Sequence, residues 1–198
     1  MDYSKDVIRC FRTLREMFAD RAKHDPDLWT SKRLYDITDE RITENCLKQI
    51  FVEPLENSVA LLFVLQTKFK VTDIRKMISV EKMSLDDFVI IVTSEKPTSA
   101  NVKTLKSIFS RMQIFSIEEL LINVTQHVLV PKHEVMKDSE VAEVIERFNI
   151  KTKSNLPFIQ SIDPVARYLA LKPGQVVKIT RKSPSAGETV LYRYCILK

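Results

Sequence analysis

The sequence predicts a two-module protein, an α/β module over residues 1–125 followed by a small α+β module over residues 126–198. Apolar runs alternate with amphipathic helical stretches through the first module, the pattern of a sheet covered by helices. The chain has only 2 glycines, Gly174 and Gly187, and both fall where the second module needs a turn. Charge also divides the chain: residues 126–198 hold 12 basic and 7 acidic residues, which accounts for the whole formal charge of +5 and leaves the first module neutral.

The elements follow in order. From Tyr3 to Lys23, Val7, Cys10, Phe11, Leu14, Met17 and Phe18 recur at helical spacing, with Arg9, Arg12 and Arg15 between them. Acidic Asp6, Glu16 and Asp20 interleave on the polar side, so this side reads as a solvated face and not as a surface for phosphates. Asp25 to Asp36, with Pro26 and Trp29, reads as a connector, and a second helix is expected from Thr38 to Phe51. Val59–Leu65 is too continuous for a half-exposed strand and too short for a typical helix, which predicts a strand buried on both faces. Thr72 then caps a helix with Ile74, Met77 and Ile78 inward. A second strand runs from Phe88 to Val92, preceded by Asp86 and Asp87 as turn residues. A helix from Ser99 places Val102, Leu105, Ile108 and Phe109 on one face. Ile114-Phe115 is a short third strand, and Ser116 with Glu119 forms the capping box of a short helix. A small parallel or mixed sheet results.

The second module opens with His127 and His133 around Val128-Leu129-Val130-Pro131. On an extended strand the two imidazoles lie about 20 Å apart, which suits hydrogen-bonded histidines and not a metal pair. A helix over Ser139–Phe148 directs Val141, Val144, Ile145 and Phe148 inward, and residues 149–155 form a linker. Asp163 and Pro164 start a short helix that ends by Leu171: the carboxylate accepts from exposed amides, and the proline lacks an N–H that would be unpaired there. Lys172-Pro173-Gly174-Gln175 predicts a type II turn, with proline presetting one central position and glycine supplying the positive φ of the other. Val176, Val177 and Ile179, then Val190, Tyr192, Tyr194 and Ile196, predict two strands joined through Ser183–Gly187.

An apolar fraction of 44% suffices for a core. Cys10, Cys46 and Cys195 are an odd number without short spacing, as expected of reduced thiols in an intracellular compartment. No signal peptide, membrane span or short basic localisation run is read in the sequence. With no glycine before Gly174, the first module lacks a phosphate-binding glycine loop, and no Walker lysine is present. Asp86 and Asp87 lack the partnering residues of a metal-dependent nuclease, and no nucleophile-elbow motif occurs. The expectation is no catalytic residue, no metal, no cofactor and no small-molecule substrate. The basic second module points to an acidic partner, nucleic acid or protein.

The run Asn123–His133, NVTQHVLVPKH, and the run Leu156–Arg193, containing LPFIQSIDPVARYLALKPGQVVKITRKSPSAGETVLYR, closely resemble the fifth common subunit of eukaryotic nuclear RNA polymerases I, II and III. The C-terminal part of that family corresponds to a small subunit of archaeal RNA polymerase. Phe11–Met17 and Asp20-Arg21 resemble the family's opening helix. The chain departs from the family pattern at Ala22-Lys23, where Gly-Tyr is usual, at Ala170, where glycine is usual, and at Glu188, where a basic residue is common.

This resemblance implies a noncatalytic structural subunit of DNA-dependent RNA polymerase. It implies an N-terminal jaw module near downstream duplex DNA and a C-terminal assembly module docking on the largest subunit to form the lower jaw and shelf. Other polymerase subunits are the further partners, and no membrane is involved. Assembly contacts would fall on Pro131, His133, Asp163, Pro164, Arg167, Tyr168, Gly174, Arg181, Tyr192 and Arg193. Lys96, Pro97, Thr98 and Ser99 match the family's downstream-facing loop, where contact would be to phosphates. Location would be the nucleus for a cellular protein, and a cytoplasmic viral factory or the virion for a viral one. The alternative is a free-standing basic nucleic-acid-binding transcription factor.

Overall fold

The computed structural model describes residues 3–66, 72, 74, 76, 86–183 and 187–197. They form helices and two mixed four-stranded sheets, an α+β architecture in two compact units, Met1–Ile122 and Asn123–Lys198.

In the first unit, helix α1 (Ser4–Ala22) buries Val7, Cys10, Phe11, Leu14, Met17 and Phe18, the stripe its spacing predicts. The expected connector instead holds two short helices, α2 (Pro26–Trp29) and α3 (Arg33–Asp36). They form because Trp29 and Leu34 each bury an apolar side chain, and Trp29 sits edge-on to both Phe18 (5.2 Å) and Phe88 (5.0 Å). Helix α4 (Asp39–Cys46) begins where Thr38 accepts a hydrogen bond from the Arg41 amide, but it stops well short of Phe51. Gln49, at φ 59°, turns the chain, and strand β1 (Ile50–Pro54) follows. Tertiary burial overrides the helical reading here: Ile50 and Val52 enter one apolar layer while Phe51 stacks in another.

Strands β2 (Val59–Val64), β3 (Phe88–Thr93) and β4 (Arg111–Ser116) complete the sheet in the order β1-β2-β3-β4. β4 is longer than Ile114-Phe115. β1 pairs antiparallel to β2, whereas β2, β3 and β4 run parallel. All six residues of β2 are buried, as its unbroken apolar run predicts. One sheet face packs Val52, Leu62, Val64 and Ile91 with Leu105 of helix α5 (Ser99–Ile108) and with Phe109. The other face carries Phe63, whose ring stacks on Phe11 of α1 (5.0 Å) and Phe51 (4.7 Å). Of the helix predicted after Thr72, Thr72, Ile74 and Lys76 are described and helical, with Ile74 in the core; Met77 and Ile78 lie outside the described residues. Short helix α6 (Ile117–Leu120) starts with the Glu119 carboxylate accepting from the Ser116 amide at 3.0 Å.

The second unit is built on the sheet order β5-β7-β8-β6: β5 (Lys132–Val135), β6 (Phe158–Gln160), β7 (Val176–Ser183) and β8 (Gly187–Ile196). β7 and β8 are the predicted pair, although part of the joining loop, Pro184 to Ala186, lies outside the described residues. β5 and β6 are additions the sequence does not announce. Each is four residues or fewer and gains its stability by pairing, β5 antiparallel to β7 and β6 parallel to β8. His127 and His133 therefore do not share a strand. The His127 ring accepts from the Leu129 amide (3.2 Å), and only His133 lies in β5.

Helix α7 (Asp138–Arg147) buries Val141 and Val144. Phe148 is a second correction: it follows the last helical residue and stays largely exposed, its ring 6.1 Å from that of Tyr192. Helix α8 (Pro164–Tyr168) starts as predicted, with Asp163 accepting from the amides of Val165 (2.9 Å) and Ala166 (3.3 Å) and proline at its first position.

Candidate assembly surface

Cross-strand partners share a sheet face, so the pairing register sorts the predicted contact residues. His133, Ile179 and Leu191 form one row; Arg181 and Thr189 form a second; Val177 and Arg193 form a third. His133, Arg181 and Arg193 thus emerge on one face of the second sheet. That face is buried at Val177, Ile179 and Cys195 and open at Arg181, Leu191 and Arg193. Tyr192, one residue away, is on the opposite face, packed against the core of Val141, Leu156 and Val176. Its ring is half-buried there.

Several other predicted positions hold the framework. Asp163 and Pro164 start α8. Tyr168 is buried, and its hydroxyl accepts from the Asn123 side-chain amide at 3.0 Å. Gly174 has φ 94°, and the Gln175 amide donates to the Lys172 carbonyl (3.1 Å), as a type II turn requires. The Gly174 amide also donates to the Cys195 carbonyl (3.0 Å), which ties the turn to β8. Pro131 offers its carbonyl to Nδ1 of His133 at 2.7 Å, so Nδ1 carries the proton. Arg167 is half-buried on α8, and Arg193 reaches the Phe158 carbonyl at 3.4 Å.

The charged groups on this unit are not uniformly available. Lys132 pairs with Glu134 (2.6 Å) on β5, and Lys153 pairs with Asp138 (2.7 Å), whose carboxyl it holds below the usual range by hydrogen bond and charge. Burial pushes the Cys10 thiol up to about 12 and raises Cys195 as well, so neither presents a thiolate nucleophile near neutral pH. Among the described residues no cluster of His, Cys, Asp and Glu could hold a metal ion, and no helix is long and apolar enough to cross a membrane.

In the first unit, Lys96, Thr98 and Ser99 are exposed and Pro97 is half-buried. Thr98 is the N-cap of α5, its side chain accepting from the Asn101 amide (3.3 Å), which leaves Lys96 as the exposed cation of the loop. Sequence reasoning omitted Val190 and Leu191, which are 41% and 45% exposed despite being apolar strand residues. The signal was available: Glu188 to Arg193 lacks the strict polar alternation of a strand with one buried face.

Residues 122–195 match the family described as RNA polymerase Rpb5, C-terminal domain. The DNA-directed RNA polymerases I, II, and III subunit rpabc1 of Dictyostelium discoideum is 35% identical over 164 residues, which cover 81% of each chain. The corresponding subunit RPABC1 of Caenorhabditis briggsae is 48% identical over 85 residues, 43% of this chain and 40% of that one. Subunit 5B of Arabidopsis thaliana DNA-directed RNA polymerases IV and V is 37% identical over 105 residues, 53% of this chain and 48% of its own. These relatives are subunits of multisubunit DNA-directed RNA polymerases, the class that the matched unit defines. The chain belongs to the RNA polymerase subunit Rpb5 family.

Proposed function

We propose that the chain is a noncatalytic structural subunit of a nuclear DNA-dependent RNA polymerase. In this reading the module over residues 126–198, within the second unit, is an assembly domain that docks on the largest subunit through the sheet face carrying His133, Arg181 and Arg193. The module over residues 1–125 is the jaw domain, and Lys96 approaches phosphates of the downstream duplex without reading its sequence. The observation that carries the proposal is the family match over residues 122–195, which spans the unit whose sheet leaves charged and apolar side chains together at its surface.

Affinity purification of the native protein followed by mass spectrometry tests it. The large polymerase subunits should co-purify in equal amounts, and their absence would sink the reading. The +5 charge of the second unit supports a rival, a free-standing nucleic-acid-binding factor. That rival requires the isolated chain to bind duplex DNA at physiological salt with a steep salt dependence. A docked subunit with one phosphate-facing loop should show only weak binding. Within the complex, Arg181→Glu should reduce incorporation several-fold while leaving the melting temperature of the isolated chain unchanged, because Arg181 is an exposed strand residue.

A further inference from the structure

The second sheet ends differently on its two sides. On one side β5 is short, follows Pro131 and carries the Lys132–Glu134 ion pair, features that discourage another strand from pairing. On the other side β6 covers only the last residues of β8, pairing Phe158 with Tyr194, Ile159 with Cys195 and Gln160 with Ile196. Upstream of Tyr194, β8 pairs with β7 on one side and, among the described residues, with no strand on the other.

The direction of the open main-chain groups follows from hydrogen bonds at the paired end. The Cys195 amide donates to the Gln175 carbonyl (2.8 Å) and the Cys195 carbonyl accepts from Gly174 (3.0 Å), so Cys195 faces the β7 side. The Tyr194 amide donates to the Pro157 carbonyl (2.8 Å), so Tyr194 faces the β6 side. The register runs without interruption to Gly187, and the direction of N–H and C=O groups alternates along it. Thr189, Leu191 and Arg193 therefore bond to β7, whereas Glu188, Val190 and Tyr192 direct their amides and carbonyls outward.

We infer that this open edge of β8 is a strand-addition site for an extended acidic segment of the largest polymerase subunit; the inference rests on the assembly role proposed above. An array of alternating outward donors and acceptors at strand spacing is complemented by another extended main chain. Side chains select which one. An added strand would meet Leu191 and Arg193 on one face and Val190 on the other, which calls for apolar residues beside a carboxylate facing Arg193, with Arg181 one strand further in.

Hydrogen exchange with single-amide resolution, on the free chain and on purified polymerase containing it, provides the test. In the free chain the amides of Thr189, Leu191 and Arg193 should be protected and those of Glu188, Val190 and Tyr192 should exchange freely. In the polymerase the second set should slow by at least about tenfold. Unchanged exchange in a polymerase that contains the subunit overturns strand addition and leaves the assembly role standing. Failure to co-purify with polymerase overturns both. Protection that grows with concentration in the free chain, together with a dimeric mass, would assign the edge to self-pairing and also overturn the inference. A pair of proline variants gives an independent arm. Val190→Pro removes an outward N–H without touching the β7 ladder, so it should lower incorporation at least about tenfold while Leu191→Pro unfolds the unit. Wild-type incorporation of a folded Val190→Pro protein would count against the site.

Discussion

The two sheets have the same number of strands and opposite relations to their surroundings. In the first unit β2 and β3 are buried almost throughout, and helices cover both faces, with Phe63 stacked between Phe11 and Phe51 and Leu62 packed with Leu105 and Phe109. In the second unit β8 has ten residues, of which only Cys195 is buried. A mixed sheet whose central strands are buried on both faces is complete by itself. A sheet that leaves Val190, Leu191 and Arg193 at its surface, under an otherwise formed core of Val141, Leu156 and Val176, is complete only in part. The contrast lies in the strands: β2 and β3 turn their apolar residues into the first unit's own interior, whereas β8 holds Val190 and Leu191 at the surface, where another chain can cover them.

The sharpest contrast is between truncating the same kind of side chain in each sheet. Phe63→Ala removes a fully buried ring with two stacked neighbours and should destabilise the protein by about 3–5 kcal/mol, read as a lowered urea midpoint. Leu191→Ala should change stability by less than about 0.5 kcal/mol and instead reduce incorporation into polymerase. Equal losses of stability at the two positions would erase the distinction between the sheets.

The same contrast explains what could be read from the chain. The first sheet's central strands are legible because Val59–Leu65 and Phe88–Val92 are unbroken apolar runs whose burial needs no further information. The start of α8 is legible because Asp163 and Pro164 act on their immediate neighbours. β1, β5 and β6 are not, since Ile50–Pro54, Lys132–Val135 and Phe158–Gln160 are short and become strands only through partners distant in sequence. Phe148 misleads for a related reason: its spacing continues the apolar stripe of α7, but the helix stops at Arg147 and leaves the ring outside. Of the candidate contact positions, the local ones, Asp163 and Gly174, declare their geometry, and strand alternation already sets Tyr192 and Arg193 on opposite faces; the gathering of His133, Arg181 and Arg193 on one face follows from a register that only the folded sheet supplies.

Turns offer a finer comparison within the second unit. A methyl group at Gly174 would meet nothing within 4 Å, so Gly174→Ala tests the cost of φ 94° alone. That cost should be about 1 kcal/mol of lost stability, with no change in the isolated chain's spectroscopic signature of folding. A neutral effect would show that the turn relaxes, and with it the tie from Gly174 to Cys195.

The smallest expected effect has the opposite sign. Helices α7 and α8 end alike. Ile150 donates to the Ile145 carbonyl (2.9 Å) and Asn149 to Glu146 (3.1 Å), while Leu171 donates to Ala166 (2.9 Å) and Ala170 to Arg167 (3.1 Å). Both are Schellman endings that require a left-handed residue, and φ is 49° at Asn149 and 51° at Ala170. Asparagine tolerates this region, but alanine does so at about 1–2 kcal/mol because its Cβ crowds the following carbonyl. Ala170→Gly removes that strain, and the added freedom of the unfolded chain offsets about 0.4–1 kcal/mol of the gain. The net stabilisation should be roughly 0.5–1 kcal/mol, visible as a higher thermal midpoint, whereas Asn149→Gly should give a smaller shift. A lowered midpoint for Ala170→Gly would mean that the Ala170 methyl makes contacts worth more than the strain it imposes.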